Sequence, residues 1–139
     1  AQPRSFRLPP SLIKRIAEDA AEYGTTVTAL VTSLLDEGTK IRRFPRIEYR
    51  PGPAGRRAAL TDGPDVWEIV RRIGELDGPE DERIATLLEE TALTEEQVRR
   101  ALAFYAAYPD EIDARLDLER QALREHVAEE ARLRELYGR

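Results

Sequence analysis

Arg4-Ser5-Phe6-Arg7-Leu8, followed by Pro9-Pro10-Ser11, is the stretch on which the reading of this chain turns. The five residues alternate as a short strand does, with Phe6 and Leu8 on one face and Ser5 and Arg7 on the other. The prolines stop the strand and open a helix from Ser11 to Tyr23, with Leu12, Ile13, Ile16, Ala20 and Tyr23 at helical spacing. Gly24 stands where a helix-ending glycine is preferred. Thr25-Thr26-Val27-Thr28 then offers hydroxyl caps for a second helix, whose apolar positions are Val27, Leu30, Val31, Leu34 and Leu35. Gly38 is expected to end it.

A strand and two helices in so few residues cannot satisfy themselves: the strand has no partner, and the core is too small to fold alone. The economical solution is a symmetric dimer in which two copies of the strand pair antiparallel, with Phe6, Leu8, Ile13, Ile16, Leu30 and Leu34 in the shared core. Ser5-Phe6-Arg7-Leu8-Pro9, the helix, Gly24 and the threonines before Val27 resemble the ribbon-helix-helix (Arc/MetJ-type) DNA-binding fold over about a third of the chain. The resemblance implies base reading by Ser5 and Arg7. It also implies phosphate contacts by Arg4 and by the start of the second helix at Thr26, Val27 and Thr28.

The 139 residues carry a formal net charge of −5, unevenly spread. Residues 1–60 hold eleven Lys/Arg against six Asp/Glu, a net of +5, whereas residues 61–139 have a net of −10. A basic head and an acidic tail suit a protein that holds DNA at one end and something else at the other. The bland alternative is that the acidic residues are a solvated helix surface. There is no cysteine and one histidine, His126, so neither a disulfide framework nor a thiolate or His-rich metal site is expected. No apolar run approaches a membrane span and no signal peptide precedes the strand, so a cytoplasmic location without membrane contact is expected.

Residues 39–46 read as a basic connector, in which Arg42, Arg43 and Arg46 either touch the DNA backbone or solubilise a linker. Ile47–Arg50 and Arg56–Leu60 flank Pro51-Gly52-Pro53-Ala54-Gly55, the signature of a hairpin. A phosphate cradle is disfavoured there, because no Lys-Ser/Thr pair follows. A third helix is expected from Val66 to Leu76, with Trp67 as a core anchor, and a fourth from Pro79 to about Glu90. A fifth opens on the capping box Thr94/Gln97 and runs to about Tyr108. This hairpin, the start Val66-Trp67-Glu68-Ile69-Val70, and Leu93 to Leu102 with Tyr105 resemble a small helix-turn-helix-like bacterial domain of unknown function found in antitoxins paired with PIN-like toxins.

Asp110 to Tyr137 is almost entirely Ala, Leu, Glu, Arg and Asp, a composition that makes long helix. Its apolar stripe (Ile112, Leu116, Leu123, Val127, Leu133, Leu136 and Tyr137) is too ragged for a coiled coil. Such a helix packs on its own domain or lies in another protein's groove. No nucleophile–base set or metal-ligand spacing is present, so neither catalysis nor a cofactor is expected.

These readings give a mostly α chain: residues 1–44 a ribbon-helix-helix forming an intertwined dimer, 45–109 a small hairpin plus three-helix domain, and 110–139 an amphipathic helix. The expected function is that of a type II antitoxin, a dimeric autorepressor binding operator DNA. It would neutralise a PIN-like ribonuclease toxin through Leu116, Arg120, Leu123, Arg124, Val127, Arg132, Arg134, Leu136 and Tyr137. The alternatives are a stand-alone ribbon-helix-helix repressor and an adaptor whose ribbon only dimerises.

Overall fold

The computed structural model describes residues 2–138 and divides the chain into two units between Arg43 and Phe44. The first unit holds α1 (Pro10–Glu22) and α2 (Val27–Arg43). The second holds β1 (Ile47–Arg50), β2 (Arg57–Leu60), α3 (Val66–Glu75), α4 (Glu80–Glu90), α5 (Glu95–Ala107) and α6 (Pro109–Tyr137).

This order overturns the ribbon-helix-helix resemblance and the fold class built on it. Two helices come first and the only hairpin among the described residues follows them, the reverse of a ribbon that precedes its helices. Residues 2–9 form no strand. Strict alternation also fails, since Phe6, Arg7 and Leu8 all line one recess, where a strand would set Arg7 opposite its neighbours. The physical reason is pairing. A five-residue strand gains little without a ladder, and β1 and β2 already bond to each other through a tight local turn. Pro9 and Pro10 also contribute no N–H to any ladder.

The first unit is two capped helices with almost no interior. At the end of α1, Thr25 N–H reaches Ala20 O at 2.9 Å and Gly24 N–H reaches Ala21 O at 3.3 Å, with Gly24 at φ +66°. That is a Schellman closure, for which glycine is suited. Thr26 Oγ1 accepts from Ala29 N–H at 3.0 Å and caps α2. Gly38 does not end α2, which runs five residues further. One helical glycine costs about 1 kcal/mol, and contacts across it offset this. Lys40 pairs with Asp36 at 3.0 Å, and Lys40, Arg42 and Arg43 lie against the negative end of the helix dipole. Ala20 alone among the described residues of this unit is buried.

The second unit has a real core. β1 and β2 pair antiparallel, with Ile47 opposite Leu60 and Arg50 opposite Arg57. Ile47 and Leu60 pack with Val66 and Ile69 of α3, Ile84 and Leu87 of α4, Val98 and Phe104 of α5, and Ile112 and Leu116 of α6. Phe104, fully buried, meets Phe44 edge-on at 5.4 Å and Tyr108 at 5.0 Å between ring centroids. The Thr94/Gln97 capping box closes in both directions, with Thr94 N–H donating to Gln97 Oε1 at 2.9 Å. Trp67 lies at the margin of this core, only partly buried. Because Phe104 is fully buried in the core and meets two further rings, Phe104→Ala should destabilise the second unit by about 3–5 kcal/mol. Chemical denaturation followed by Trp67 fluorescence measures this, and a loss under about 1 kcal/mol would show that the ring is not the centre of the packing.

Candidate functional site

Exposed side chains, rather than a buried catalytic cleft, are what the first unit offers. Arg4, Ser5 and Arg7 stand in the extended arm before α1, all exposed. Phe6 is 76 % exposed, and Leu8 lines with it a recess of about 440 Å³ walled by Leu12 and Ile16 of α1 and by Val31, Leu34 and Leu35 of α2. Of the residues expected in a dimer core, Phe6, Leu8, Ile16 and Leu34 come together here, Leu30 is half-buried and Ile13 faces water. Thr26 spends its hydroxyl on the cap of α2, whose first turn carries the amides of Val27 and Thr28. Arg42 and Arg43 are exposed on its last turn.

In the second unit α6 has two parts. Its first two turns are anchored by Ile112 and Leu116, so Leu116 serves the core and does not join the outward partner-binding set. Arg115 Nη2 donates to Ala54 O of the hairpin turn at 3.3 Å. From Arg120 to Tyr137 every residue is exposed, a rod of about 27 Å at a rise of about 1.5 Å per residue. Arg120, Leu123, Val127 and Arg134 fall within a sector of about 60°. Arg124 and Arg132 lie round the side, and Leu136 and Tyr137 are exposed near the end. His126 is on the surface, 3.3 Å from Glu130.

The hairpin and α3 build a second feature that sequence reasoning missed. Asp65, the residue preceding α3, is buried, and its carboxylate does not cap the helix. It accepts instead from Arg57 Nε and from Trp67 Nε1 (3.0 Å), with Arg50 Nη1 at 4.0 Å. Arg50 and Arg57 are directly opposite in the hairpin, and like charges so placed repel. Asp65 is the counter-ion of Arg57, while Arg50 pairs with Glu48 at 2.9 Å. The cross-strand arginine pair was the signal that such a carboxylate had to exist. Beside this cluster lies a recess of about 230 Å³ between the hairpin, Trp67 and the first turns of α6. Its walls are Ala58, Trp67, Ile112, Ala114 and Leu118, and its polar groups are Arg56, Arg57, Arg115 and Glu111.

Among the described residues no His, Cys, Asp or Glu cluster is arranged to hold a metal, and no helix is long and apolar enough to cross a membrane. Comparison with protein-family models, curated proteins and solved structures finds no match.

Titration reports on this region. Burial, and then the charge of Asp65, raise the pKa of Glu68 above the ordinary carboxylate value. A raised folded pKa means that folding disfavours the carboxylate, so Glu68 costs stability at neutral pH and the cost vanishes as pH falls below the ordinary glutamate range. Glu68→Gln should therefore raise the melting temperature near pH 7 and lose that advantage near pH 3. Equal effects at both pH values would contradict this sign.

Proposed function

We propose that this chain is a dimeric DNA-binding antitoxin of the type II class, which represses its own operon in the cytoplasm and neutralises a PIN-like ribonuclease toxin through α6. The observation that carries the reading is the outer part of α6. A helix this long, exposed on every side and bearing an apolar ridge, has the form of a segment that lies in another protein's groove. Arg120 and Arg134 bracket Leu123 and Val127 on that ridge. A PIN-like ribonuclease gathers carboxylates around its divalent metal, and a guanidinium matches a carboxylate with two parallel hydrogen bonds. Arginines on the ridge thus suit an acidic active site, while Leu123 and Val127 supply apolar contact beside it.

The DNA-binding half of the reading draws on the first unit, without a ribbon. Arg4 and Arg7 on an exposed arm, with Arg42 and Arg43 on α2, supply cations for phosphates, and Arg7 with Ser5 can reach base edges. The near absence of an interior supports dimerisation: two copies meeting face to face would cover the recess of Phe6, Leu8, Leu12, Ile16, Val31 and Leu34.

The two halves are separable by experiment. Ile112 and Leu116 belong to the core, so truncation must fall beyond them, and a chain ending at Glu119 preserves it. Co-expressed with the toxin, the chain ending at Glu119 should fail to rescue growth yet still retard its operator in a gel shift. Arg7→Ala should do the opposite, rescuing growth while operator affinity drops about tenfold or more. Rescue by the truncated chain would remove α6 as the inhibitory element. Unchanged operator binding by Arg7→Ala would remove the arm as the reader.

A further inference from the structure

The recess beside Trp67 belongs to neither half of that reading. We propose that it is a binding site for a small aromatic carboxylate. Its volume of about 230 Å³ exceeds the ~150 Å³ that suffices for one benzene ring. One side is apolar, formed by Trp67, Ala114 and Leu118, a surface on which a flat ring can lie.

The polar side is rich in guanidinium donors that are held in place. Arg57 is fixed by Asp65 and by Pro51 O, to which its Nη1 donates at 2.7 Å. Arg115 is fixed by Ala54 O at 3.3 Å and by Glu119 at 3.7 Å. A guanidinium carries five N–H donors, so these tethers orient each group and leave donors over. Three guanidiniums and one carboxylate, Glu111, line the recess; Asp65 and Glu119 pair with Arg57 and Arg115 from outside the lining, and Tyr49 Oη contacts Glu111 at 2.9 Å. A ligand that pairs a ring with a carboxylate uses both sides at once. A neutral ring uses only one, and acetate only the other. Pre-set donors lower the ordering cost of binding.

Trp67 is the chain's only tryptophan, so the site carries its own reporter. Phenylacetate, with about ten non-hydrogen atoms, should give a saturable change in Trp67 fluorescence in the millimolar range, with benzyl alcohol and acetate each about tenfold weaker or more. Ala114→Phe fills the recess from an exposed helix position and should abolish the response with the melting temperature unchanged. Arg115→Gln should weaken phenylacetate about tenfold and leave benzyl alcohol unaffected. No saturable response in the folded full chain overturns the proposal. So does a response that survives Ala114→Phe, or benzyl alcohol binding as tightly as phenylacetate. None of these results depends on DNA or toxin binding.

Discussion

Burial is divided very unequally along this chain, and the rest of its behaviour follows from that division. After Arg43, apolar side chains from the hairpin and four helices form one core that includes Phe104, and no buried side-chain polar atom among the described residues lacks a hydrogen-bond partner. Before Phe44 the same kind of amphipathic helices shield only Ala20. Leu34 and Leu35 remain more than half exposed, as do Ile13 and Phe6. Apolar area left in water forgoes about 25 cal/mol per Å², so a pair of helices in this condition is incomplete by itself.

A second imbalance is electrostatic. The hairpin sets two arginines opposite each other: Glu48 pairs with Arg50, and one buried carboxylate, Asp65, pairs with Arg57 while also accepting from the indole of Trp67. Breaking a buried pair leaves uncompensated charge, which is far costlier than losing a surface ion pair. The pairs along α5 and α6, such as Arg99 with Glu95 or Arg120 with Asp117, are exposed and contribute little each. Asp65 therefore sets the geometry of the hairpin end, and with it the recess against α6.

What could be read from residues alone was what short-range chemistry dictates. Gly24 closes α1, Thr94 and Gln97 cap α5, and Pro51 to Gly55 turns the hairpin, because each depends only on neighbours within a few positions. The strand expected over residues 4–8 failed because a strand is defined by a partner, and alternation over five residues does not supply one. Gly38 misled because its cost is small beside the turns it joins. Leu116 was placed outward because one stripe on α6 serves two environments, inside the core up to Leu116 and outside it from Arg120. Asp65 drew no expectation, since the arginines it faces stand on the two hairpin strands, well before it in the chain.

Whether the unfinished first unit is completed by a second copy is the question on which the regulatory reading rests. Sedimentation equilibrium of the full chain, beside a Leu34→Arg variant, addresses it directly. The parent should sediment with the mass of two chains and the variant with that of one, the second unit still folded in both. A parent that sediments as a single chain at every concentration would contradict it.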